Sequence, residues 1–253
     1  MIKLLTNRKG TAVAGWNKGI KAASGDLILI AGAHSIYPSD YISYCVKYSD
    51  QAENVGGGIM SVVRQDVSAL SRAVNISRDD VFGAGKAVFR QQAEDLTYVD
   101  TVFGGCYRKE VFEKIGYFNE KLERSGDLEF NLRLKEAGMK TLYVPAIKSY
   151  YYARTDWLDF VKHNFKDGKW SLLMMKYSKV DFGKRRLVPA LFLMSLPISL
   201  WPYLLISALR SFQISRREKD WRLIFTLPIA FLSLHVSYGL GTLCAIPLYL
   251  RRS

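Results

Sequence analysis

Two stretches without Asp, Glu, Lys or Arg constrain this chain more than any other feature: Leu187 to Leu209, and Leu223 to Leu250, where His235 alone can take a positive charge. Each reaches the roughly 20 apolar residues needed to cross a hydrocarbon core. Runs of that length argue against ordinary buried core helices. A chain of 253 residues leaves room ahead of them for one sizeable soluble domain. Pro197 and Pro202 interrupt the first run, and Gly239, Gly241 and Pro247 the second. Two arrangements therefore stay open: two spanning helices joined by a basic external loop, or re-entrant hairpins that return to their starting face.

The net charge is +13. Its basic residues crowd beside the apolar runs, in "KYSKVDFGKRR" (176–186), "RREKDWR" (216–222) and the terminal "RRS". Charge placed there suits anionic headgroups and holds the soluble part on the cytoplasmic face of a cell membrane. No nucleic-acid reader motif accompanies it, so nucleic acid is not an expected partner. Cys45, Cys106 and Cys244 are scattered, with no C-x-x-C pair. Neither a disulfide framework nor a thiolate zinc site is implied, and a reducing compartment fits. The opening "MIKLLTNRKG" is too short and polar for a signal peptide.

Ahead of Leu187 the pattern alternates. Residues 11–24 read as a helix stopping near Gly25, Leu27 to Ala31 as a buried strand, and 39–51 as a helix. "NVGGGIMSVV" (54–63) is a glycine-rich turn entering a strand, and the region to about residue 98 is ambiguous. "GAGKA" (83–87) lacks the spacing of a phosphate loop and reads as a turn. "VDTVFGGCY" (99–107) precedes a helix closed by Gly116. Residues 126–140 form a helix with an acidic first turn and Gly138 as its stop, and "TLYVP" (141–145) a final strand. This alternation predicts an α/β sheet.

Several motifs then fall in order. "NRKGTAVAGWNKGIKAASGDLILIAGAHSIYPSDYI" and "VFEKIGYFNEKLERSGDLEFNLRLKEAGMKTLYVP" resemble the middle of a family 2 glycosyltransferase of GT-A fold. "AHSIYP", "VGGGI", "FGAGKAVFR", "VDTVFGGCYRKEVF" and "FKDGKW" resemble the succinoglycan and exopolysaccharide branch, which also ends in membrane segments. The resemblance implies a partial GT-A, Rossmann-like mixed sheet over residues 1–152; spacing adds an amphipathic interfacial segment over 153–186, and the apolar runs a helical membrane module over 187–253. The resemblance also implies inverting transfer of a sugar from a nucleotide-sugar donor to a lipid-linked or polysaccharide acceptor, with polysaccharide-assembly proteins as partners.

Two departures qualify that expectation. The family's Pro-x-x-Asn-Glu strand and its Asp-Gly-Ser turn, which cradle the donor nucleotide, have no counterpart in the sequence. The alternative is therefore a truncated, non-catalytic or split transferase acting as a membrane scaffold or needing a separate N-terminal half. The strand end that carries Asp-x-Asp in the family, and Asp-Ala-His in this branch, reads Gly32-Ala33-His34. The resemblance implies Mg or Mn; Gly32 stands where the ligand Asp would be.

An inverting transfer needs a carboxylate to take the acceptor proton. Asp127 stands at the position of the family's base; the local alternative is that it caps a helix. Gly126, where the family carries an acidic or amide residue, is expected to loosen that turn. Glu129 either faces a cleft or pairs with Arg133 four residues on. Asp100 binds acceptor hydroxyls or caps a turn. His34 is a lone imidazole that bonds a loop backbone or forms the soft end of a metal site, and by resemblance it lies among the substrate-binding residues. Arg154, Lys169 and Trp170 lie in "ARTDWLDFVKHNFKDGKW" (153–170). By resemblance they contact the diphosphate and stack on a sugar; by spacing the same segment is an amphipathic interfacial helix.

Overall fold

A computed structural model describes residues 2–62, 67–83, 85, 88–91, 93–152, 156–181 and 183–251. Along the chain run α1 (Ala12–Ala22), β1 (Leu27–Leu29), β2 (Ser35–Ile36), α2 (Tyr41–Tyr48), β3 (Asn54–Val62), α3 (Ala69–Asp79), α4 (Val88–Gln91), β4 (Thr97–Tyr98) and β5 (Phe103–Arg108). Then follow α5 (Glu110–Ile115), α6 (Gly126–Glu136), β6 (Thr141–Tyr152), α7 (Trp157–Tyr177), α8 (Val188–Met194), α9 (Leu196–Glu218) and α10 (Leu223–Leu250). They sort into two compact units. The first holds residues 1–60, 88–151 and 177–181; the second holds 61–87, 152–176 and 182–253.

The first unit is α/β, as the alternation predicts. Its sheet runs β1-β5-β3-β6-β2, with β4 also on β6, and the pairings of β1 with β5, β3 with β5, β2 with β6 and β4 with β6 are antiparallel. The register slips between Val55 and Gly57, where two steps of β3 face three of β5. Gly104 absorbs the extra residue at φ 62°, a left-handed value that suits a residue without Cβ. Tyr41 Oη donates to the Gly104 carbonyl at 2.9 Å, and Ile30 N to Gly105 O at 3.1 Å. The bulge thus ties α2 and the exit of β1 to β5.

β3 owes its closeness to β6 to a glycine. A Cβ at Gly57 would lie 1.6 Å from the Ile147 carbonyl oxygen. On one side of the sheet, Val13, Ile20, Ile28, Tyr107, Phe112, Phe118 and Phe130 form an apolar core. Phe118 meets Phe130 at 4.4 Å between ring centres, with the rings tilted by 33°. A second core joins Tyr41, Cys45, Val55, Cys106, Val144 and Ile147.

The second unit is helical. The apolar run 187–209 is not one rod: α8 and α9 meet at Ser195 with a bend of 118°. Only α10 is by itself long and apolar enough, among the described residues, to cross a membrane. Of the stripe Trp157, Phe160, Val161, Asn164, Phe165 and Gly168 that spacing offers to an interface, Phe160, Asn164 and Gly168 are buried in protein, Val161 and Phe165 half-buried, and Trp157 exposed. A Cβ at Gly168 would stand 1.9 Å from Tyr238 O, and one at Gly241 2.0 Å from Phe165 O, so α7 and α10 touch backbone to backbone. Helical periodicity identified the stripe but could not say whether protein or lipid covers it.

Candidate active site

The site is built on α6. Its N-cap residue is Ser125, held at φ 58° and making no side-chain capping bond. The helix begins at Gly126, where a Cβ would come within 2.8 Å of Val13 Cγ2. The glycine therefore does the opposite of loosening the turn: it lets the start of α6 close onto α1. Asp127 is the second helical residue, not the cap, and is exposed. A carboxylate in a first helical turn is favoured by the free N–H groups and the helix dipole.

Below Asp127 the helix is anchored by polar groups. Asn131, 1% exposed, accepts from Tyr107 Oη at 2.9 Å and donates to Thr101 Oγ1 at 2.8 Å. Asn54 Nδ2 reaches Asn131 Oδ1 at 3.2 Å and Thr141 Oγ1 at 3.4 Å. Burial, and then the charge of Asp127, push the Tyr107 hydroxyl well above its usual range, so it stays a donor. This network escaped the sequence reading. Its one legible sign was an amide one turn beyond the acid, between Leu128 and Leu134 three residues to either side.

Glu129 is 1% exposed and fully engaged. Arg133 Nε donates to Oε1 at 2.7 Å, Arg133 Nη2 to Oε2 at 3.1 Å, and Ser178 Oγ to Oε1 at 2.8 Å. Of its two readings the intrahelical pair is the one formed, and the carboxylate is not presented to a cleft. Asp100 pairs with Lys135 at 2.7 Å, both side chains largely exposed.

At the exit of β1, Gly32 N donates to Tyr37 Oη at 2.7 Å, and Ser35 N to Gly32 O at 3.1 Å. Pairing of Ser35 with Tyr151 lays this turn against β6. His34 is exposed, its ring edge-on to Tyr151 at 5.8 Å. Lys169 and Trp170 lie on α7 in the second unit, and Arg154 falls outside the described residues.

Residues 1–168 match the family model described as "Glycosyltransferase like family 2". The chain belongs to this family. Among curated relatives, the dolichyl N-acetyl-alpha-D-glucosaminyl phosphate 3-beta-D-2,3-diacetamido-2,3-dideoxy-beta-D-glucuronosyltransferase of Methanococcus voltae is 30% identical over 182 residues, which cover 69% of this chain and 56% of that protein. Succinoglycan biosynthesis protein ExoA of Rhizobium meliloti (strain 1021) is 23% identical over 201 residues, covering 72% and 60%. The chain thus spans little more than half the length of these relatives. Among solved structures, mannosyltransferase PcManGT from Pyrobaculum calidifontis, in complex with GDP-Man and Mn2+, is 15% identical, with a TM-score of 0.49 and coverage of 92% of this chain and 67% of that one.

Family membership raises the question of a metal at the β1 exit. Hard divalent cations take carboxylate and other oxygen ligands. Gly32 supplies no side chain and His34 only one imidazole. No group of three or more His, Cys, Asp or Glu comes together among the described residues. The described residues at the β1 exit do not fit a Mg or Mn site.

Proposed function

We propose that this glycosyltransferase family member carries the acceptor half of an inverting, membrane-associated transfer in exopolysaccharide or cell-surface glycan assembly. A nucleotide sugar is the donor and a lipid-linked glycan the acceptor. Asp127 takes the proton of the acceptor hydroxyl as its oxygen attacks the anomeric carbon. The bond from that carbon to the donor's diphosphate breaks on the opposite face, and configuration inverts. The observation that carries this reading is the placement of Asp127: an exposed carboxylate in the first turn of a helix packed at Gly126 and anchored at Asn131. On resemblance alone, Arg154, Lys169 and Trp170 are assigned to the donor side, and His34 and Asp100 to substrate contacts.

The test compares the wild-type chain with Asp127→Asn, using a panel of UDP- and GDP-sugars and polyprenyl-linked acceptors. Transfer by the wild type and its loss in the folded variant support the assignment; undiminished turnover in the variant removes it.

Gly32 favours a second reading, that of a membrane scaffold or one half of a split transferase. Titrating the same nucleotide sugars against the purified chain separates the two. Saturable binding by this polypeptide alone counts against the scaffold.

A further inference from the structure

We propose that the second unit is a monotopic membrane platform. In it α8, α9 and the outer stripe of α10 enter one leaflet of an anionic bilayer, and residues 188–250 do not cross it. The proposal does not depend on the transfer reaction.

The first ground is what covers α10. Leu223, Leu227, Ala230, Leu234, Ser237, Gly241 and Ala245 recur every three or four residues and are buried, so one side of the helix faces protein along most of its length. The segment following α3 covers its middle. His235 Nε2 lies 3.1 Å from Gly83 O, and Phe82 meets Phe231 edge-on at 5.0 Å. Two residues before Phe82, the Asp80 carboxylate is 4% exposed and gripped by Arg210 at 2.7 Å. α7 covers the next stretch, in the backbone contacts at Tyr238 and Gly241. Beside those contacts Lys162 and Lys166 point to solvent.

A hydrocarbon core of about 30 Å, centred on the middle of α10, reaches about ten residues either way. It would engulf Lys162, Lys166 and the Asp80–Arg210 pair together with the helix. Charges at that depth are strongly disfavoured. An α10 that dips only its outer stripe, Phe225, Ile229 and Leu240, into one leaflet avoids this.

The second ground is the shape of the preceding pair. The exposed apolar face of α9, Ile198, Trp201, Leu205, Leu209 and Phe212, is about 21 Å long at 1.5 Å per residue, too short for the core. It ends at Arg216 and Arg217. The 118° bend opens a groove of about 530 Å³ lined by Val188, Leu191, Phe192 and Met194. An elbow of apolar faces ending in arginines suits helices lying in the plane of a leaflet, with the basic α9–α10 junction on anionic headgroups.

The experiment labels single cysteines in the full chain with a membrane-impermeant maleimide, in sealed right-side-out and inside-out vesicles. The background is Cys244→Ala; Cys45 and Cys106 are buried. Reporters are Lys3→Cys, Arg216→Cys and Arg251→Cys, all at exposed positions. The expected result is that all three label from the same face. Two spans would put Arg216→Cys alone on the opposite face, and a single crossing by α10 would put Arg251→Cys there; either result overturns the proposal. In purified form, Arg216→Gln with Arg217→Gln should weaken binding to phosphatidylglycerol-containing vesicles about 30-fold. Equal binding of the wild-type chain to neutral and anionic vesicles would overturn the headgroup assignment.

Discussion

Asn131 Oδ1 accepts a hydrogen bond from Tyr107 Oη at 2.9 Å, one helical turn beyond Asp127. This bond fastens α6 to β5, and Asn131 also draws in Thr101 and Asn54. The aim of the Asp127 carboxylate therefore depends on a buried amide as much as on its own backbone. Replacing Asn131 by Ala leaves the Tyr107 hydroxyl buried without its acceptor. The expected cost is about 2–3 kcal/mol in urea unfolding. Tyr107→Phe, which removes a donor and leaves an amide able to find other partners, should cost about 1 kcal/mol.

Asp127→Asn separates chemistry from folding. A carboxamide of the same size fits the exposed position, and the lost charge–dipole attraction amounts to roughly 0.3–1 kcal/mol. Transfer should fall by about 10²–10⁴-fold, the usual contribution of a positioned base. Initial rates and thermal melting on one preparation check both halves.

Glu129→Gln is expected to act on stability. It leaves Arg133 without its charge partner and weakens the bond from Ser178, at a cost of about 2–3 kcal/mol, since hydrogen bonds to charged groups lie at the upper end of the scale. Arg133 is partly exposed, which limits the loss. KM for the acceptor, measured on the folded fraction, should not move.

Gly32 is a position that tolerates a side chain. A Cβ there meets nothing nearer than Ser35 Oγ at 3.5 Å, an ordinary contact, and its φ lies outside the left-handed region. Gly32→Asp should fold with a stability change within about 0.5 kcal/mol. It also sets a carboxylate beside His34 and the buried, unpartnered Ser35 Oγ. Manganese binding, followed by EPR, should rise above that of the wild-type chain.

The acid limb of stability should respond to Glu120. Hydrogen bonds from Lys9 and Asn17 hold its carboxyl below the usual value of 4.5. A folded-state pKa below the unfolded one gives stability that is present above pH 4.5 and lost as pH falls further. Glu120→Gln should flatten that decline in chemical unfolding series run from pH 6 to pH 3.

Local signals carried the first unit well. Gly116 closes α5 at φ 79°, and the acidic first turn marks the start of α6 within a residue of its place. β6 runs to Tyr152, far beyond the expected stop at Pro145, because pairing with β2 at Tyr150 and Tyr151 extends it and no local pattern encodes a partner. Asn131 was hidden for the same reason: its role depends on Tyr107 and Asn54, distant in sequence. In the second unit, Pro197 and Pro202 marked the run 187–209 as interrupted, but neither composition nor spacing fixed the place or the 118° size of the bend. The length of Leu223–Leu250 likewise said nothing of the inner stripe that protein covers.

Gly57 carries a consequence for genetics. Every missense change there introduces a Cβ into the space held by the Ile147 carbonyl oxygen. In a saturation library read by any folding reporter, codon 57 should go dark for every replacement, while codon 19, where a Cβ meets nothing, stays open. Natural populations run the same assay. A gene kept for its sheet purges variants at codon 57, and a decaying relic accumulates them as freely as anywhere else.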